Sequence, residues 1–277
     1  MVNDIGVRTG ADARAVADEI VAGGGNAVAE TTSATWDGAS AIVSRAVEAF
    51  GAVDILVNNA TVMKNEDLWR YDETDWDRTF AVNLKGYFAM IRSVTTYMAR
   101  QGSGTIVNTS SGSGFGHPSH VAYAAAKEGV VGLTRTAAME LGRFGIRCNA
   151  IRPLAASLGV EEYHIETVKW RRLMDVTMGV STKARSAEEI HPRKVAPIVV
   201  WLCTDAASGV NGRTFLVMGD QVSLLTEPRP KTTITQEGGW TLDALDAHAP
   251  TELVGGLTNR FTLDDHPDLQ VFADEAG

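Results

Sequence analysis

GTIVNTSSGSGFGHPSHVAYAAAKEGVVGLTRTAAMELGRFGIRCNAIRP, running from Gly104 to Pro153, reads as strand, glycine-rich turn, helix and strand. Thr105 to Thr109 is a β-branched run closed by Ser110, Ser111 and the glycines 112, 114 and 116, the composition of a buried strand ending in a turn. Beyond Pro118 the pattern turns helical, and Tyr123 and Lys127 fall on one face because side chains four apart are neighbours on a helix. Ile146 to Ile151 alternates apolar and polar, and Pro153 is expected to stop it. A serine at the edge of one strand therefore faces a tyrosine and a lysine on the next helix. A free tyrosine, with a pKa near 10, is a poor base at neutral pH. A neighbouring ammonium is expected to lower that value, while Ser111 holds a substrate oxygen. An isolated YxxxK is most often an ordinary turn of alanine-rich helix; the serine-ended strand before it and the strand after it favour an active site.

Composition narrows the possibilities. The chain has 277 residues, 44% of them hydrophobic, enough for one good core plus an extension. A net charge of −9 argues against a nucleic-acid partner. Cys148 and Cys203 have neither disulfide nor zinc spacing, as suits a reducing cytoplasm. No signal peptide opens the sequence and no apolar run is long enough to span a membrane. The expectation is a soluble, cytoplasmic protein acting on a small molecule.

Upstream, MVND reads as the end of a strand and Ala11 to Ala22 as an amphipathic helix with Ala15, Val16, Ile20 and Val21 on its apolar side. Asn26 to Glu30 is a short strand and Trp36 to Phe50 a helix. Val53 to Val57 is a continuous apolar run, as expected of a parallel strand covered on both faces, and ends in Asn58, Asn59 and Ala60. The helix predicted over 74–100 places Trp76, Phe80, Asn83 and Tyr87 on one face. A buried Asn83 there needs partners: it is either bonded to neighbouring backbone or anchors a water linked to Lys127. Strands alternating with helices imply a doubly wound α/β sheet with its ligand beyond the strand C-termini. Residues 158–190, with Trp170 among apolar and basic neighbours, form a substrate lid or an interface. His191 to Cys203 is predicted helical, Thr214 to Met218 the last strand, and 241–248 a weak helix. His117 and His120 have no accompanying carboxylate or third histidine, so they read as pocket-lining or surface side chains and no metal is expected.

NNA at 58–60, Asn83 in VNLKG, the serines 110 and 111, Tyr123 with Lys127, and NAIRP together resemble the short-chain dehydrogenase/reductase family over roughly residues 1–220. The resemblance implies a Rossmann-like domain at 1–222 and a C-terminal extension at 223–277. It implies that Ser111, Tyr123, Lys127 and Asn83 are catalytic, carrying a proton while a nicotinamide carries a hydride. Counting thirteen residues back from Tyr123 gives Ser110 instead, but strand register favours Ser111. The same resemblance assigns Asp4, Asn59, Ala60 and Ser157 to the cofactor and self-association to the helices 74–100 and 123–142, while His117, His120 and Trp170 are substrate-binding candidates by their place in the turn and in the segment after the last catalytic strand. VNDIG and GGWTLD look like a branch acting on hydroxyacyl-CoA and steroid-like alcohols.

The family's TGxxxGxG turn, which brings backbone N–H groups to a pyrophosphate, is absent. Thr9-Gly10-Ala11 is a poor substitute, since alanines follow where the later glycines belong. Met1 is therefore expected to lie in the second strand, with the first strand, turn and helix missing and Asp4 matching the ribose-binding acid. Three functions follow: an NAD-dependent secondary-alcohol dehydrogenase, an enzyme of non-redox acid–base chemistry that has lost NAD(P), or an idle partner of a complete family member. The four retained side chains argue against the idle partner, since an idle site has no need of them all, and the dehydrogenase is kept as the leading reading.

Overall fold

The computed structural model describes residues 1–6, 13–156 and 186–259, with single positions inside 172–176 and 261–269. It divides into two compact units, one of residues 1–170 and 183–225 and one of 171–182 and 226–277.

The first unit is a layered α/β sheet. Four parallel strands, β3 (Ile55–Asn58), β4 (Gly104–Thr109), β5 (Ile146–Leu154) and β6 (Thr214–Met218), pair in chain order, and β7 (Gln221–Leu224) closes the edge antiparallel to β6. A separate parallel pair is formed by β1 (Val2–Asn3) and β2 (Ala29–Glu30). One face of the main sheet carries α2 (Ala39–Phe50), α4 (Tyr87–Gln101) and α5 (Val121–Leu141), whose apolar sides close over Leu56, Ile106, Ile146 and Cys148. The opposite face buries Val107, Ile151, Phe215 and Val217 under α6 (Ala196–Leu202). Helix α1 (Ala13–Ala22) packs on β1 and β2. Among the described residues no helix is long and apolar enough to cross a membrane.

Several expectations change. The apolar run at 53–57 is covered on one face only: Leu56 and Asn58 are buried, but Ile55 and Val57 are 49% and 43% exposed. On α1 the predicted apolar side is the exposed one, and Ala13 and Ala17 are buried instead. Pro153 does not stop β5, which runs to Leu154 and pairs Pro153 with Val217. Pairing with β4 ends at Ile151, so the N–H that proline lacks is not needed there. The helix predicted over 74–100 is α3 (Glu73–Phe80), a π-helical turn at Ala81–Gly86, and α4. The widened turn lets the Asn83 carboxamide donate to the Thr79 carbonyl one turn back, at 2.9 Å. His191–Cys203 is a 3-10 turn at Pro192–Lys194 followed by α6. Thr214–Met218 is not the last strand, because Gly219-Asp220 folds β7 back on it; Gly219 takes φ +58°, the conformation such a two-residue hairpin asks of its first loop position.

In the second unit, α7 (Leu242–His248) is capped by Thr241, whose hydroxyl accepts from Ala244 N–H, and the Trp240 ring stands edge-on to His248.

Candidate active site

Pleat alternation sends Ser110 and Ser111 opposite ways from the end of β4. Ser110 is buried and its hydroxyl donates to the Lys127 carbonyl oxygen at 2.6 Å, so it ties β4 to α5. Ser111 opens into the turn: its oxygen accepts from Ser113 N–H at 3.1 Å, and its hydroxyl shares a hydrogen bond with Tyr123. Tyr123 sits in the first turn of α5 with Lys127 one turn further on. The buried Lys127 ammonium donates to Tyr87 Oη at 3.0 Å and to the Thr109 carbonyl at 2.9 Å, and lies 5.6 Å from the centre of the Tyr123 ring.

These side chains belong to a longer chain of polar contacts. Asn83, fully buried, donates to the carbonyls of Val62 (2.7 Å) and Thr79, and accepts from the Thr61 hydroxyl at 2.7 Å. Thr61 bonds Tyr123. On the other side, Ser111 Oγ donates to Ser113 Oγ (3.2 Å), which meets His120 Nδ1 at 3.0 Å. His120 is buried, lies flat against His117 with ring centres 3.8 Å apart, and stands edge-on to Tyr123. The two histidines thus line the tyrosine's surroundings.

Sequence reasoning missed Thr61 and Tyr87. Thr61 directly follows NNA, and Tyr87 shares the predicted helix face of Asn83, but neither spacing by itself marks a polar contact with the site. Tyr87 Oη also donates to the Ala60 carbonyl (3.1 Å), fixing the loop after β3.

Burial governs the ionisation here. It pushes the Lys127 ammonium down to about 7 and His120 down to about 3, the latter helped by the neighbouring His117. Tyr123 is held above the usual phenol value, because desolvation outweighs its hydrogen bonds to Thr61 and Ser111. The expected lowering by Lys127 is therefore reversed, and at neutral pH Tyr123 is a phenol ready to donate.

Asp4, Asn59 and Ala60 line a cleft of about 1000 Å³ beside this cluster. Asp4, just past β1, accepts from Gly6 N–H at 2.7 Å. Ser157 and Trp170 lie outside the described residues, as does most of 158–190. A dinucleotide fits this edge only in part. The acid past β1 suits a ribose, but a pyrophosphate needs a glycine turn at a helix N-terminus, carried between strands equivalent to β1 and β3 in the usual 3-2-1-4-5-6 sheet order. Among the described residues no strand pairs with both of these, and β1 and β3 belong to separate sheets.

A sequence model of the short chain dehydrogenase family matches residues 5–167. The peroxisomal multifunctional enzyme type 2 of Drosophila melanogaster is 38% identical over 213 residues, 74% of this chain but 32% of its own length, so the chain spans about a third of that relative. The hydroxyacyl-CoA dehydrogenase ChsB1 of Mycobacterium tuberculosis is 33% identical over 276 residues, covering 94% of this chain and 80% of its own. A crystal structure of a short chain dehydrogenase from Mycobacterium avium matches with a TM-score of 0.72 and 34% identity, over 89% of this chain and 82% of that one. The chain accordingly belongs to the short-chain dehydrogenase family, oxidoreductases that interconvert alcohols and ketones on a Rossmann-like α/β fold.

Proposed function

We propose that this chain interconverts the secondary alcohol and ketone of a hydroxyacyl thioester, with Tyr123 as acid and base and NAD as hydride partner. The observation that carries the reading is the cluster in which Tyr123 Oη bonds Ser111 and Thr61 while Lys127 lies 5.6 Å from its ring. The acyl thioester is suggested by the mycobacterial hydroxyacyl-CoA relative, whose similarity runs along nearly the whole chain. NAD is preferred to NADP because the Asp4 carboxylate would repel a 2′-phosphate.

The residues present account for the proton. A ketone oxygen bound between Ser111 and Tyr123 would receive the phenol proton as negative charge develops on it. In the opposite direction Tyr123 must first become a phenolate, and an ammonium at Lys127 would stabilise that anion. A bound nicotinamide supplies or accepts the hydride. The high phenol pKa favours reduction at neutral pH and predicts that alcohol oxidation accelerates as pH rises.

The test is steady-state turnover of 3-oxoacyl- and 3-hydroxyacyl-CoA with NAD(H) and NADP(H), following nicotinamide absorbance. Tyr123→Phe is expected to lower kcat by on the order of 10²–10⁴-fold with the fold intact. Undiminished turnover in that variant would refute the assignment, and a preference for NADP(H) would refute the role given to Asp4.

A further inference from the structure

Arg152 is a charge where the pattern of β5 calls for an apolar side chain. Alternation puts Ile146, Cys148, Ala150 and Arg152 on one face of the strand, the face that α5 covers. The Arg152 side chain is 3% exposed and bonds in two directions. Its Nη1 donates to the Ser111 carbonyl oxygen at 2.7 Å, and its Nη2 donates to Glu128 Oε2 at 2.5 Å. As packing alone this is a costly arrangement. Arg152 Nε is buried with no hydrogen-bond partner among the described residues, and Glu128 is half exposed, so a desolvated cation is answered by a partly wet carboxylate. Apolar side chains of similar volume often match or exceed such a pair in stability. The reason for the guanidinium lies in what it holds.

It holds the backbone of Ser111. Pairing of β4 with β5 ends at Thr109 with Ile151, and Ser110 N–H adds a last bond to the Ile151 carbonyl. Beyond that point no strand supports the chain, and the glycines 112, 114 and 116 make the turn intrinsically loose. Within the turn the Ser111 carbonyl accepts from Gly114 N–H at a long 3.3 Å. The guanidinium supplies the short bond, with its Cζ 4.4 Å from the centre of the Phe115 ring. The turn closes tightly around the ion pair: a Cβ on Gly114 would fall 2.5 Å from Arg152 Nη1 and 2.7 Å from Glu128 Oε2. Glu128 follows Lys127 on α5, so one guanidinium links the end of β5, the serine turn and the helix that carries Tyr123.

We infer that Arg152 is a positioning residue: anchored by Glu128, it clamps the Ser111 backbone so that the Ser111 hydroxyl stays against Tyr123. The inference rests on the proton transfer proposed at Tyr123 and adds the device that keeps its hydroxyl partner in place. The role needs a planar fork that meets a carbonyl and a carboxylate at once, and a lysine ammonium keeps the charge without the fork.

Arg152→Lys tests this beside Ser111→Ala and the double variant, by backbone exchange over residues 111–116 followed by mass spectrometry and by kcat and KM for 3-oxoacyl-CoA reduction. Exchange in the turn should quicken by roughly tenfold or more while that of β4 and α5 stays as in the wild type. A misplaced hydroxyl should lower kcat by on the order of 10²-fold with KM within about twofold. In the Ser111→Ala background Arg152→Lys should cost less than about threefold, because the hydroxyl it positions is already gone. Glu128→Ala, at a half-exposed position that leaves the fold intact, should move both readouts the same way, and Glu128→Gln, which keeps an acceptor, should recover most of the loss. Unchanged exchange over the turn in Arg152→Lys and Glu128→Ala would overturn the inference. So would an undiminished loss of kcat in the Ser111→Ala background, which would make Arg152 a structural residue only. If the wild type reduces no 3-oxoacyl-CoA, the Tyr123 reading fails by itself, and turn exchange still decides the clamp.

Discussion

Ser110 and Ser111 differ by one position and do unrelated work. Ser110→Ala would remove the buried hydrogen bond that ties β4 to the Lys127 carbonyl, a loss of about 0.5–1.5 kcal/mol, because that carbonyl keeps its backbone partner within α5. Chemical denaturation should show this with the active-site polar chain retained. Ser111→Ala should leave the denaturation midpoint almost unchanged and, on the proposed mechanism, lower kcat by on the order of 10²-fold, since it removes the hydroxyl that would hold the ketone oxygen beside Tyr123. His120 contributes through neutrality. Its folded pKa of about 3 lies below the ordinary 6.5, so the unfolded chain takes up the proton first as pH falls. Stability is therefore lost progressively from pH 6.5 downward. His120→Gln should flatten that loss between pH 6.5 and 5, as read from urea midpoints; an unchanged slope would contradict the buried neutral ring.

At the scale of elements, α4 depends on how closely it approaches the loop before α2. A Cβ at Gly86 would collide with the Ala34 carbonyl oxygen and crowd that of Ala81. Gly86 also ends the π-helical turn that holds Asn83. Gly86→Ala, usually favourable in a helix, should here destabilise by about 1–3 kcal/mol through overpacking. It should also reduce turnover, because Asn83 holds Thr61 against Tyr123. Thermal unfolding and kcat, measured on the same preparation, check both halves. The π-helical turn was not legible beforehand: 74–100 has helical periodicity throughout, and only the packed loop at 60–62 presents Asn83 with a carbonyl and a hydroxyl to bond.

For the whole molecule, the dominant titration is that of Lys127, buried at the junction of β4, α4 and α5. Its folded pKa of about 7 against an ordinary 10.5 means that the unfolded chain holds the extra proton between those values. Stability should rise with pH from 7 to about 9, above which the raised Cys148 thiol, and then the raised phenols of Tyr87 and Tyr123, offset the slope and turn it over. Lys127→Met should abolish the rise between 7 and 9 in equilibrium unfolding. A wild-type slope of zero there would show that the amine stays charged when folded.

The alternation of strands and helices, the serine-ended β4, and the spacing of Tyr123 and Lys127 were set by the amino-acid sequence alone, because periodicity and turn chemistry are local properties. What the tertiary structure decided is which groups lose water: Ser111 rather than Ser110 at the tyrosine, a phenol raised instead of lowered, and Ile55 and Val57 left open. An apolar run declares that it can be buried, but whether both its faces are covered depends on segments far away in the chain. Desolvation follows from that packing, and with it the direction in which each site residue gives or takes a proton.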